Sequence, residues 1–382
     1  MKIGIITIHN SPNYGACLQA YALWKYISLQ EQNCEIIDLY RPHQTEYVNS
    51  KRFSPMRQNK DIISMTKHFI KQVFSLGKDR SKNNLFSCEA KSKFDEFNSQ
   101  IRLSKPYTGI DELYVTPPEY DLYISGSDQL WNPGQPYCLE PYFLTFVPVG
   151  CMKISYATSI GITNLTEREK NRFKMWLSSY TAISVREKQA KSLLESFVGR
   201  TDICQVPDPT FLLSLEHWDS IAIRPLKKEK YLLLFTLNWS QQLFEYSLRL
   251  CEECGLCLVV LAQKQPKYSG TLYIPVTDAG PKEFIGYIAE ADMVITDSFH
   301  CTVFSIIMGA KNFYTYVSPK NDRGSRITDI LDSFGLQNHL LDTGLTASYS
   351  QLTAQDIDRN DILKKVELMK AQGRTFLDKF IK

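Results

Sequence analysis

Two hydrophobic rhythms alternate along the chain. Short aliphatic and β-branched runs fall at 2–8, 34–39, 120–124, 153–157, 181–185, 203–206, 231–237, 257–262, 292–295 and 312–316. Each has the length and make-up of a buried strand. Between them, apolar residues recur at helical spacing over 15–29, 166–179, 187–196, 241–254, 281–290, 298–309 and 325–334. Strands alternating with helices imply parallel sheets covered by helices on both faces. So many elements overfill one doubly wound sheet, and the pattern predicts an α/β protein with two Rossmann-like domains. The alternation breaks at Val206-Pro207-Asp208-Pro209, where two prolines flank an acid. The predicted domains are therefore 1–207 and 208–350, with a charged helical pattern in 351–382 packing back across them. Residues 42–118 are polar, basic and rich in Ser and Asn, and read as a helical insertion in the first domain.

The length of 382 residues agrees with two domains. No apolar run approaches the roughly 18 residues of a membrane helix, and the first nine residues read as a strand, not a signal segment. Ten cysteines without a secreted-scaffold spacing point to reduced thiols and a cytoplasmic setting. Cys251, Cys254 and Cys257 lack a fourth metal ligand nearby, and Gly255 between them reads as a helix C-cap, so no metal site is expected. The net charge of +3 is uneven. Residues 51–105 hold thirteen Lys/Arg against five Asp/Glu, or +8, leaving −5 elsewhere. That asymmetry suggests an anionic partner near the segment. Within it, Ile62, Met65, Phe69, Val73 and Leu76 share one helical face, with Lys60, Lys67, Lys71 and Lys78 opposite. Such a helix can lie on an anionic membrane surface or simply pack on its own domain. No phosphate-binding lysine loop or dinucleotide glycine fingerprint is present, which argues against an NTPase or a nicotinamide enzyme. No nucleic-acid partner is expected.

Ligands of open α/β sheets bind beyond the carboxyl ends of the strands, which selects four places. In His9-Asn10-Ser11-Pro12-Asn13-Tyr14-Gly15, Asn13 can cap the following helix. Gly15 either packs tightly or lets an anion approach the helix N-terminus. In Ser125-Gly126-Ser127-Asp128-Gln129-Leu130-Trp131-Asn132, carboxylate, amides, hydroxyls and a flat ring suit a sugar. Arg186 ends one strand, and its planar fork suits a phosphate or carboxylate, or a salt bridge to Glu187. In Thr296-Asp297-Ser298-Phe299-His300, Asp297 or Ser298 can cap a helix and His300 can move protons near neutral pH. Lys320, Arg323 and Arg326 lie downstream and add positive charge.

Read in order, Asn13-Tyr14-Gly15-Ala16-Cys17-Leu18-Gln19, Gly126-Ser127-Asp128-Gln129-Leu130-Trp131-Asn132, Lys153-Ile154-Ser155-Tyr156-Ala157-Thr158-Ser159-Ile160-Gly161, Ser184-Val185-Arg186-Glu187, Asp208-Pro209-Thr210 and Thr296-Asp297-Ser298-Phe299-His300 resemble the polysaccharide pyruvyl transferase family. The resemblance implies a fold similar to GT-B glycosyltransferases, with two Rossmann-like domains facing across a cleft. It also implies transfer of pyruvate from phosphoenolpyruvate, as co-substrate, to two hydroxyls of a hexose, forming a cyclic ketal with no metal or organic cofactor. The acceptor would be a surface-polysaccharide precursor, free or lipid-linked, with peripheral membrane contact through the basic segment. On that reading His300 and Asp128 are catalytic, and Arg186, Ser298, Lys320 and Arg326 bind the donor. Asn13, Tyr14, Gln19, Ser127, Gln129, Trp131 and Asn132 face the acceptor. One departure stands out: some members carry Arg-Leu-His where this chain has Ser298-Phe299-His300, so a donor-site cation is missing unless Lys320 or Arg326 replaces it. A nucleotide-sugar glycosyltransferase or a non-catalytic glycan-assembly subunit are the rival expectations.

Overall fold

A computed structural model describes residues 1–42, 44, 46–50, 87–226, 229–237, 239–262, 273–318, 324–354 and 357–382. The first sheet contains β1 (Lys2–Ile6), β2 (Asn33–Ile36), β3 (Leu122–Ser125) and β4 (Met152–Ser155) in the order β2-β1-β3-β4, all parallel. Bridges Ile154–Ala182 and Thr158–Val185 continue it to the parallel pair β5 (Ser184–Val185) and β6 (Cys204–Gln205). The second sheet contains β7 (Tyr231–Thr236), β8 (Cys257–Ala262), β9 (Tyr273–Pro275), β10 (Met293–Thr296) and β11 (Phe313–Thr315), ordered β11-β10-β7-β8-β9 and again parallel. In each sheet the strand order reverses beside the first strand, at β1/β3 and at β7/β10. These are the topological switch points where α/β sheets hold ligands.

Helices α1 (Tyr14–Ser28), α2 (Cys88–Asn98), α3 (Ile110–Val115), α4 (Glu167–Leu177) and α5 (Lys188–Val198) accompany the first sheet. Helices α6 (Leu215–Ile221), α7 (Gln241–Cys254), α8 (Pro281–Glu290), α9 (Phe299–Ile307), α10 (Ser325–Phe334) and α11 (Tyr349–Thr353) accompany the second, and α12 (Arg359–Ile381) follows.

Alternation along the strands sorts the core into three layers. Ile3 and Ile5 of β1, Leu122 and Ile124 of β3, Leu233 and Phe235 of β7, and Val294 of β10 all face one shared interior, filled by α1, α8 and α9. The opposite face of the first sheet, with Ile6 and Tyr123, has its own core around Trp131, Phe143 and Phe173. The opposite face of the second sheet, with Leu232, Leu234, Leu258 and Ile295, packs under α7. Strands buried on both faces explain the near-continuous apolar runs in the sequence.

The break at 206–209 falls between the sheets, and α12 returns across it. Gln372 Nε2 donates to the Gln205 carbonyl (2.9 Å), Arg374 Nη2 to the Leu212 carbonyl (2.7 Å), and Tyr26 Oη to Asp378 (2.6 Å). The insertion reading of 42–118 needs correction in its described part. Phe94 and Phe97 of α2 are buried against Tyr14 and Tyr21 of α1. Leu103 and Tyr107 bridge to Ile36 and Leu39. From residue 88 onward the chain is therefore the crossover of the first Rossmann unit. The polar helix surface hid this because only two aromatic residues mark its inner side. The predicted amphipathic helix at 61–76 lies outside the described residues.

Candidate functional site

The centre of the site is a carboxylate. Asp208 stands between Pro207 and Pro209 in the connection between the sheets, with φ −53° and ψ 143°, as the residue before a proline prefers. Its side chain is fully buried. Oδ1 accepts from Thr210 N (3.0 Å) and Thr210 Oγ1 (2.8 Å). Oδ2 accepts from Arg186 Nη1 at 2.6 Å, has Ser127 Oγ at 3.4 Å, and lies 3.5 Å from His300 Nε2. One oxygen thus draws together a guanidinium from the end of β5 and an imidazole from the first turn of α9. Burial pushes the Asp208 carboxyl up, but His300, Arg186 and the Thr210 N–H outweigh it and hold it well below the usual carboxylate range.

Arg186 is buried and already has two acids: Nε donates to Glu187 Oε1 at 3.1 Å and Nη1 to Asp208. Burial alone would favour loss of its charge, but Glu187, Asp208 and Asp128 reverse that and raise its pKa. Nη2 has no hydrogen-bond partner among the described residues. The guanidinium lies 4.4 Å from the Phe299 ring centre, and that of Arg326, from α10, lies 5.7 Å from it. Two cations therefore flank one aromatic ring. The Gln129 amide, with its oxygen turned to Arg326, meets Nη2 at 2.9 Å and Nη1 at 3.2 Å, so a first-lobe loop touches a second-lobe cation. Arg186, Asp208, Phe299 and Arg326 share the wall of a cavity of about 140 Å³ with Glu187, Gln205, Asp329 and Gln372. Across the same junction, Asp329 Oδ2 accepts from Lys188 N at 3.2 Å. His300 touches Asp208 without lining that cavity.

The loops that bring these groups together follow from local chemistry. Asn13 caps α1, with Oδ1 accepting from Ala16 N at 3.2 Å. Gly15 is required because a Cβ there would overlap the His300 imidazole. Ser298 caps α9 by accepting from Cys301 N, and Asp297 Oδ1 accepts from Leu237 N (2.7 Å), tying the ends of β7 and β10 together. Asp128 is half-buried in the left-handed region (φ 76°), which Asp tolerates better than most residues.

Several sequence expectations need correction here. Trp131 is fully buried, stacked on Phe143 at 4.8 Å with Nε1 donating to the Tyr142 carbonyl, and presents no face to a sugar. Gln19 is fully buried, its amide spent on Thr7 Oγ1 and on the Ile8 and Ala16 carbonyls. Tyr14 is buried between the lobes, stacked on Phe284 at 4.5 Å with its hydroxyl donating to the Ala279 carbonyl. Ser127 and Asn132 are closed over as well, Ser127 Oγ donating to the Ala157 carbonyl and Asn132 Oδ1 accepting from Gly134 N at 2.9 Å. Of the first-lobe candidates, Asn13 and Asp128 keep partial exposure and Gln129 meets Arg326. Lys320 lies outside the described residues. Sequence reasoning offered Glu187 only as a salt-bridge partner of Arg186, which it is, and assigned no role to Asp208 or Asp329. An acid flanked by prolines, after a strand and an Arg-Glu pair, was the available signal.

The polysaccharide pyruvyl transferase family model matches residues 13–319. That span contains Asp208, Ser127, Arg186, Thr210 and His300, while Arg326 lies just beyond it. The chain belongs to the polysaccharide pyruvyl transferase family. Membership makes it a transferase of polysaccharide pyruvylation in the broad sense, with a saccharide acceptor. A search of curated protein sequences gave no match. Among solved structures, the chain is similar to the glycosyltransferase of kitacinnamycin (11% identity, 100% of this chain and 99% of that one, TM-score 0.53). It is also similar to the UDP-GlcNAc 2-epimerase of Methanocaldococcus jannaschii (12%, 99% and 99%, TM-score 0.51) and to another UDP-N-acetylglucosamine 2-epimerase (12%, 100% and 96%, TM-score 0.51). At such identities the likeness shows the fold, a GT-B-type pair of Rossmann-like units. Among the described residues no helix is long and apolar enough to cross a membrane, and no three His, Cys, Asp or Glu side chains form a metal-binding group.

Proposed function

We propose that this pyruvyl transferase takes phosphoenolpyruvate as donor and builds a cyclic ketal on two hydroxyls of a hexose in a surface-polysaccharide precursor. The observation that carries the reading is the convergence of Arg186 and His300 from opposite lobes on Asp208, with the Arg326 guanidinium over the same Phe299 ring as Arg186. Phosphoenolpyruvate carries a phosphate and a carboxylate, and planar guanidinium forks suit both. Arg326 supplies the cation that Ser298 lacks, and Arg186 contributes Nη2.

In the reaction, one sugar hydroxyl adds to C2 of the donor as C3 gains a proton. The C2–O bond to phosphate then breaks. The second hydroxyl closes the ring on C2 and its proton leaves with the phosphate. His300 handles protons in these steps, and Asp128 serves the acceptor hydroxyls. The chemistry calls for no metal or organic cofactor. The +8 charge of residues 51–105 favours an acceptor carried on an anionic lipid, at a membrane surface facing the cytoplasm.

The test is incubation with phosphoenolpyruvate and candidate saccharides. Phosphate release matched by a mass gain on the sugar is expected. Arg326→Gln should raise KM for the donor by about tenfold or more, and His300→Ala should abolish turnover in folded protein. A thermal shift with nucleotide sugars and none with phosphoenolpyruvate would transfer the protein to the glycosyltransferase reading.

A further inference from the structure

We infer that Asp208 is a positioning residue, one that orients the His300 ring so that Nε2–H points at its carboxylate and Nδ1 is the nitrogen left to exchange protons. The inference rests on the proposed pyruvyl transfer for its kinetic consequences, but not for its geometry. Nε2 of His300 is buried and has no hydrogen-bond partner among the described residues. The Asp208 carboxylate, at 3.5 Å, is the acid facing it. Nδ1 lies over Gly15, in the notch left by the missing side chain at the first turn of α1.

Asp208 itself has little freedom. Two prolines hold its backbone, Thr210 holds Oδ1, and Arg186 holds Oδ2. A contact of 3.5 Å is long for a formed hydrogen bond, and such pairs commonly shorten once substrate is bound. A fixed acceptor opposite one ring nitrogen selects the tautomer in which that nitrogen carries the proton. The same carboxylate oxygen aligns Arg186, so one residue in the connection between the lobes sets the geometry of a group from each.

The groups around Asp208 come from every neighbouring element. Asp128 and Ser127 follow β3, Tyr156 follows β4, Arg186 and Glu187 follow β5, His300 opens α9 and Arg326 opens α10. Tyr156 is buried with its pKa raised well above the ordinary tyrosine value, first by burial and then by Asp208, so it does not titrate in the working range.

The experiment is nitrogen-15 spectroscopy of the imidazole rings in the full chain, with His300→Ala supplying the assignment, alongside kinetics. The expected result is a dominant Nε2–H tautomer for His300 in the unaltered protein and loss of that preference in Asp208→Asn. With phosphoenolpyruvate as substrate, Asp208→Asn should lower kcat roughly a hundredfold and displace its pH profile, and Asp208→Glu should restore part of the rate. If Asp208→Asn does not fold, Thr210→Val loosens the carboxylate without removing it and should weaken the tautomer preference. A dominant Nδ1–H tautomer in the unaltered protein overturns the inference, as does a ring signal unchanged by both variants. Absence of phosphate release by the unaltered protein would refute pyruvyl transfer from this donor, while the ring spectrum would still decide the role of Asp208.

Discussion

Gly15 shows how one hydrogen atom decides the site. In a helix, Gly→Ala normally gains about 1 kcal/mol. Here the added methyl would overlap the His300 imidazole, and overpacking of a rigid contact costs about 1–3 kcal/mol. The overlap wins, so Gly15→Ala should lower the melting temperature and reduce turnover together. A melting temperature raised by that variant would mean the ring is not where the structure places it. Trp131 makes the opposite case. It packs between Phe143 and Tyr180 with its N–H bonded internally. Trp131→Ala should therefore cost about 3–5 kcal/mol of stability. The milder Trp131→Phe should leave KM for a saccharide acceptor unchanged. A selective rise in that KM, without loss of stability, would restore the sugar-platform role withdrawn above.

At the level of elements, α1 does more than follow β1. Tyr14 in its first turn stacks on Phe284 of α8 and reaches the Ala279 carbonyl, while Tyr21 packs on Phe97 and Trp218. Tyr14→Phe keeps the stacking and removes one hydrogen bond, so it should cost about 1 kcal/mol. Tyr14→Ala removes both and should cost several times more, as thermal unfolding would show. The strand-helix rhythm made both sheets legible, since strands covered on both faces read as unbroken apolar runs. Gln241–Cys254 and Pro281–Glu290 follow their predicted helical patterns because Ser240 and Gly255 bound one and Pro281 opens the other. What stayed hidden depended on partners distant in sequence. Gln19 and Trp131 carry the right chemistry for a sugar site, and only tertiary packing shows that it is turned inward. Asp208 looked like a turn residue until Arg186 and His300, 22 and 92 positions away, were seen to meet on it.

For the whole molecule, the two lobes share an interior and are fastened by charge at their junction. The linkage at Asp208 gives a pH signature. Its carboxyl is held below the usual range in the folded protein, so its stabilisation is complete above about pH 4, where an unfolded aspartate is ionised, and is lost as acid protonates it in the fold. Asp208→Asn leaves Arg186 with one partner fewer and should cost about 3–5 kcal/mol near neutrality. The difference in melting temperature between the two proteins should hold from neutrality down to about pH 5 and shrink as the pH falls below about 4. A constant difference would show that the carboxylate is not ionised in the folded state.

The return of α12 to the first lobe has a consequence for biosynthesis. Tyr26 finds Asp378, and Leu212 finds Arg374, only after both sheets have been translated. A nascent chain that has finished its N-terminal lobe still exposes the surface this helix will cover. Until residues 359–381 are made, the apolar ground that Ile362, Val366, Phe376, Leu377 and Ile381 will cover stays open to self-association. A stop codon just ahead of Arg359 would spare every residue that meets at Asp208 and still yield a chain prone to aggregate.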